Sequence, residues 1–177
     1  MLSLNLAKIR AQQERFEQVY AARACAGPGE DFAVVAPVSL AFDIYKDKDQ
    51  FRLVGGVQTT LELPCSRCVE PFTSPVDASF DLRYHPRTQN VGEGEREVEE
   101  DDLSTSFYDD ETIDLGQLIR EQLYLSLPMK PLCRDACNGL CPQCGTNLNR
   151  GTCDCRRDWE DPRLAALKAL KQPTTDD

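Results

Sequence analysis

Eight of the nine cysteines fall into four close pairs, Cys65/Cys68, Cys133/Cys137, Cys141/Cys144 and Cys153/Cys155, and Cys25 stands apart. Thiols spaced like this can form disulfides, carry out redox chemistry or bind metal. An odd count leaves one cysteine unpaired under any disulfide scheme. The opening MLSLNLAKIR lacks the basic start and apolar stretch of a secretory signal. The expected compartment is therefore the cytoplasm, where thiols stay reduced. A redox CxxC opens a helix whose terminus depresses the first thiol's pKa. Here Cys68 runs into VEPF and Cys144 into GTNLNRG, and neither looks like a helix start. Metal is the favoured reading.

Zinc takes four tetrahedral ligands, and thiolates at about 2.3 Å suit it. Two cysteines two residues apart can grip one ion from a single tight turn. In CPQCG, Pro142 stiffens that turn and Gly145 permits positive φ just beyond the second ligand. Four pairs predict two zinc ions. The short gap between Cys144 and Cys153 predicts a local site of Cys141, Cys144, Cys153 and Cys155. Cys65, Cys68, Cys133 and Cys137 then form the other. The rival pairing joins Cys65/Cys68 to Cys141/Cys144 as a zinc ribbon. Iron–sulfur ligation uses the same donors, but the repeated knuckle spacing favours zinc. Cys25 is expected to be a small buried hydrophobe.

Other residues offer less. His85 precedes Pro86 at a strand end with no nearby cysteine, and is expected to be structural or exposed. Trp159 flanks a helix and is expected to pack. No nucleophile elbow, phosphate-binding glycine loop or Ser/His/Asp order appears. The expectation is a protein without enzymatic activity.

The formal net charge is -10, but residues 92–111 carry ten acids against Arg96. The rest of the chain is close to neutral. The segment reads as a solvated loop, with a tether for a basic partner as the sharper reading. Basic residues are dispersed. Arg67 in the first knuckle and Arg150, Arg156 and Arg157 around the second are the candidate RNA or partner contacts. Four such residues allow a weak local rRNA contact but no long duplex footprint. No run of 18 apolar residues is present, so no membrane span is expected.

The surrounding elements must position these thiols. Leu2, Leu4 and Leu6 alternate like a short strand, and 10–24 favours helix by propensity. From 33 the period becomes two: VVAPVSLAFDIY, then a turn at 46–49, then Phe51, Leu53, Val57, Thr59, Leu61 and Leu63. Gly55–Gly56 reads as a bulge or bend within this run. Alternation returns at Val76, Ala78, Phe80, Leu82 and Tyr84, which makes PCSRC the connection between two antiparallel strands. Residues 86–111 form the acidic loop. Asp114 with Gln117 looks like a capping box opening a helix that carries Leu115, Leu118, Ile119, Gln122 and Leu123 to Pro128. A last helix is predicted from Asp161 and Pro162, with Leu164, Leu167 and Leu170 as its stripe. The fold class is α+β: an antiparallel, curled sheet with a packed helix, plus a C-terminal cysteine-rich zinc-binding tail and short helix. The division is 1–132 for the mixed domain and 133–177 for the tail.

The stretch from 61 to 171 resembles the YceD family, the large ribosomal RNA subunit accumulation proteins. The resemblance rests on Cys65-Ser-Arg67-Cys68, Ile113-Asp114-Leu115, Leu127-Pro128 and Pro131-Leu132-Cys133. It continues through Gly139-Leu140-Cys141-Pro142-Gln143-Cys144-Gly145, Asn147-Leu148-Asn149, Cys153-Asp154-Cys155 and Asp161-Pro162-Arg163-Leu164. The first sixty residues fit only loosely. The resemblance implies a non-enzymatic role in synthesis, processing or stability of large-subunit rRNA, in the bacterial cytoplasm or plastids. It implies that the distal cysteines stabilise the tail rather than define the activity. The expected partner is a large-subunit ribosomal protein or assembly factor. The motifs alone would equally suit a zinc-stabilised interaction adaptor unrelated to ribosomes.

Overall fold

The computed structural model describes residues 2–25, 27, 31–87 and 105–155. The predicted terminal helix, Trp159, Arg156 and Arg157, and the acids at 93–102 lie outside these residues. The architecture is α+β. Strands β2 (Gln13–Tyr20), β4 (Val38–Asp47), β5 (Gln50–Pro64), β6 (Pro71–Pro86) and β7 (Thr105–Tyr108) form one open sheet in that order. The two-residue β3 (Ala33–Val34) shares with β4 the same edge of β5. A second, two-stranded sheet joins β1 (Ser3–Asn5) to β8 (Thr112–Asp114). Among the described residues the α-helices are α1 (Ala22–Cys25) and α2 (Leu115–Ser126).

The alternation in β5 and β6 has the expected consequence. Phe51, Leu53, Val57, Thr59, Leu61 and Leu63 point inward from β5, and Val76, Phe80 and Tyr84 from β6. Leu115, Leu118, Ile119 and Leu123 cover this face from α2, joined by Leu40, Phe42 and Ile44 of β4. Each such fully buried side chain is worth about 1.5–3 kcal/mol. The Asp114 carboxylate accepts from the Gln117 amide at 3.0 Å, as a cap should. The reciprocal half of the box is absent, because the Gln117 side chain donates to Glu121 instead. The carbonyl of Leu2 takes the amides of Leu115 and Gly116, so the N-terminal segment completes the cap.

Three expectations need correction. Residues 13–20 form an edge strand, paired with β4 from Gln13↔Tyr45 to Tyr20↔Val38, and of the proposed helix over 10–24 only residues 22–24 are helical, within α1. Stacking of Phe16 on Phe42, with centroids 4.8 Å apart, holds this strand against its propensity. Gly55–Gly56 is not a bulge, for the register of β5 runs unbroken past both neighbours. A Cβ at Gly55 would sit 2.1 Å from the Ala41 carbonyl oxygen, so close backbone approach is the reason for the glycine. The acidic loop is shorter than 86–111. It contains β7, which pairs parallel to β6 (Arg83↔Thr105 to Pro86↔Tyr108) and breaks the otherwise antiparallel pattern. Tyr108 packs edge-on against Phe51, and its hydroxyl donates to the Asp49 carbonyl.

Among the described residues, no helix is long and apolar enough to cross a membrane.

Candidate metal centres

The turn between β5 and β6 builds the first knuckle. The Cys65 amide donates to the Glu70 carbonyl at 2.9 Å, and the Val69 amide returns to the Cys65 carbonyl at 2.9 Å. The second knuckle repeats this pattern: the Cys141 amide to Thr146 at 2.8 Å, the Gly145 amide to Cys141 at 2.9 Å. Position five of each turn has positive φ, 74° at Gly145 and 62° at Val69. Glycine meets that demand without strain, whereas a β-branched valine does not.

The knuckles do not share a site. The sulfurs of Cys65, Cys68, Cys133 and Cys137 form one group, and those of Cys141, Cys144, Cys153 and Cys155 another, each lying within 4.8 Å of one another. The geometry follows the local pairing, not the ribbon. The first tetrad therefore takes ligands from both sides of the 132/133 division. Cys65 Sγ lies 3.8 Å from Cys137 Sγ, and Cys68 Sγ 3.8 Å from Cys133 Sγ. These separations far exceed a disulfide's length of about 2.05 Å, and all nine cysteines are free thiols. They match the edge of a tetrahedron with metal–sulfur bonds of about 2.3 Å, which is about 3.8 Å. A multinuclear cluster with bridging sulfides would hold its cysteines farther apart. The donor set fits one ion per tetrad.

The first tetrad is the more sheltered. Cys65, Cys68 and Cys137 are buried, with Phe72 and Leu132 packed on them, while Cys133 is exposed. Phe72 also touches the main core and links the two. The amides of Arg67 (3.5 Å) and Cys133 (3.4 Å) point at Cys65 Sγ. The Cys133 amide foremost, then that of Cys68, holds the Cys65 thiol down to about 6. Desolvation, then the sulfurs of Cys137, Cys65 and Cys68, push Cys133 up to about 12. In the second tetrad, the Thr146 hydroxyl at 3.1 Å and then its amide hold Cys144 down to about 6. Hydrogen bonding to Cys144 foremost pushes Cys155 up to about 12. Without metal each tetrad thus concentrates negative charge on some sulfurs while others retain protons. A divalent cation would neutralise that charge and displace the protons.

Asn149 is the functional residue that reading the thiols missed. Its Nδ2 donates to Cys137 Sγ at 3.4 Å, and its Oδ1 accepts from the Asn138 amide at 2.9 Å and from Arg134 at 2.8 Å. It is carried between the second tetrad's ligands yet orients a ligand of the first. The only sequence sign was its place in the Asn147-Leu148-Asn149 motif.

The basic candidates are partly committed to the fold. Arg67 Nη1 donates to the carbonyls of Asp135 (3.1 Å) and Cys137 (2.9 Å), and its own carbonyl accepts from Leu140 at 3.1 Å. Gly139, at φ 72°, is required there, since a Cβ would meet the Arg67 carbonyl at 3.0 Å. Arg150 pairs with Glu70 at 2.7 Å. His85 is half-buried on β6 and belongs to neither tetrad. Cys25 is 2% exposed in the main core, and burial raises its pKa.

A family model described as "Large ribosomal RNA subunit accumulation protein YceD" matches residues 53–171. The chain is 29% identical over 164 residues to the Arabidopsis thaliana chloroplastic YCED homolog 1, covering 81% of this chain and 51% of that protein. An uncharacterized Mycobacterium tuberculosis protein is 36% identical over 113 residues, 63% of this chain and 51% of its own length. A Bacillus subtilis protein, YlbN, is 30% identical over 112 residues, 62% of this chain and 60% of its own length. The chain spans about half the length of the first two of these relatives. No solved structure matches. The family match extends across both tetrads and the helix that leads into them, and the chain belongs to the YceD family of large ribosomal RNA subunit accumulation proteins.

Proposed function

We propose that the protein is a zinc-bearing, non-enzymatic cytoplasmic factor that supports accumulation of large-subunit ribosomal RNA by holding a ribosomal protein or assembly factor. One observation carries this reading: the family match spans 53–171 and encloses both cysteine tetrads. Four protein thiols around one ion leave no open coordination position for a substrate, the pattern of structural rather than catalytic zinc. Zinc would clamp the β5–β6 turn to the following tail at the first tetrad and close the 141–155 loop at the second.

A protein partner fits the charge better than a long stretch of RNA. Four thiolates around a divalent ion remain anionic, and the 92–111 segment adds ten acids. Phosphate binding needs clustered cations, whereas Arg150 is ion-paired and Arg67 is engaged with carbonyls. Deleting the gene and measuring large-subunit rRNA and ribosomal particles tests the role. Lower large-subunit rRNA or a delayed large particle, restored by the wild-type gene, is the expected result. Normal profiles under both rich growth and stress would overturn it and favour the unrelated adaptor.

A further inference from the structure

A second cavity, of about 480 Å3, lies where β7, β8 and α2 meet, away from both tetrads. Asp109, Asp110, Asp114, Glu121, Phe107 and Tyr84 line it. Arg87 pairs with Asp109 at 2.7 Å, Asp114 caps α2, and Glu121 accepts from Gln117 at 2.8 Å. The Asp110 carboxylate has no partner among the described residues. Among the described residues the lining holds four carboxylates and no Lys or Arg, with Arg87 paired to Asp109, which leaves the cavity negative. Tyr84 is only 7% exposed, and its hydroxyl has no hydrogen-bond partner among the described residues. Burial foremost, then the charges of Glu121 and Asp114, push its pKa up to about 12, so the hydroxyl stays protonated. A buried hydroxyl without a partner among the described residues is costly, and Tyr84 lines this acidic cavity.

We propose that this cavity receives an arginine side chain from a basic protein partner, with Asp110, Glu121 and the Tyr84 oxygen as acceptors. This rests on the ribosomal reading and names the chemistry of the partner. Among the described residues, only the two cysteine tetrads bring three or more ligand atoms within 4.8 Å. The carboxylates are thus too dispersed to surround one metal ion. They suit a guanidinium, which spreads five N–H donors over a rigid plane. Phe107, 43% exposed, lines the same cavity and adds an aromatic ring that suits a cation. A nucleic-acid phosphate would meet repulsion here.

The test uses the full metal-loaded chain and a short peptide of alternating arginine and glycine, beside its citrulline counterpart. Amide chemical shifts and calorimetry report binding. The arginine peptide should shift the amides of Ser106, Asp110 and Gln117, and the neutral citrulline peptide should not. Asp110→Asn combined with Glu121→Gln should weaken binding about tenfold, as expected for losing charge-assisted hydrogen bonds. Tyr84→Phe should weaken it less, with the fold retained. Amide replacement of the acids between 93 and 102 should leave those shifts in place. Equal binding of citrulline, or unchanged affinity in the Asp110/Glu121 variant, would overturn the proposal. So would an RNA hairpin that bound the same amides. If the Asp110/Glu121 variant loses the peptide yet fully restores rRNA, the cavity is not the partner site, although the ribosomal role stands. Intact peptide binding with normal rRNA in the deletion strain would instead overturn the ribosomal role.

Discussion

Asn149 and Cys141 act on different cysteine tetrads. Asn149 donates to Cys137 Sγ but belongs to the loop of the second tetrad. Asn149→Ala is expected to weaken metal binding at the first tetrad by about 10–100-fold, the usual effect of losing an outer-shell partner. Competition with a chromophoric chelator measures this, and an effect confined to the second tetrad would refute the role. Cys141→Ser should lower the metal content toward one ion per chain and spare Cys65 and Cys68. Loss at Cys65 and Cys68 instead would revive the ribbon pairing. The cysteine groups were legible in the sequence because CxxC spacing fixes geometry within a single turn. Asn149 was not, since its role is a contact between loops that no local pattern encodes.

At the scale of elements, the turn between β7 and β8 holds Asp110 at φ 50° and Glu111 at φ 52°. Two successive positive φ values make a turn that favours glycine at the second position. Glu111→Gly should therefore stabilise the fold by up to about 1 kcal/mol, read from chemical denaturation. A clear loss would show that the Glu111 side chain supports the turn. Gly55→Ala forces a Cβ into the Ala41 carbonyl and is expected to cost about 1–3 kcal/mol or more. Gly151→Ala meets nothing within 4 Å and should be close to neutral. Equal effects from the two would refute the close-approach argument. Strands β5 and β6 and helix α2 were readable because each buries one face and so keeps its period. Strand β2 was not. It lies at the sheet edge with most side chains exposed, and its Gln, Glu and Arg carry helix propensity without alternation. Strand β7 was hidden by the acids on both sides of it, and its pairing with β6 is long-range.

Across the whole molecule, the acidic segment and the cysteine tetrads lie in different stretches of the chain. Replacing 92–104 with a short Gly/Ser linker should leave the thermal midpoint within a few degrees, because acid-rich chain buries little apolar area to offset ordering entropy. Extending the cut through Tyr108 should lower it, because that removes β7 and its contact with Phe51. Chelation should empty the second tetrad first, since only Cys141 of its four thiols is buried, whereas Cys65, Cys68 and Cys137 of the first are. Hydrogen exchange should then rise at 141–155 while the sheet stays protected. Earlier loss of protection around Cys65 would contradict that order. Native mass spectrometry of the freshly purified chain tests for two four-thiolate zinc sites with local pairing. The expected result is a mass increment of two zinc ions, with one retained in Cys141→Ser. Disulfide-bonded protein without metal, an iron–sulfide mass, or both ions lost from Cys141→Ser would contradict it.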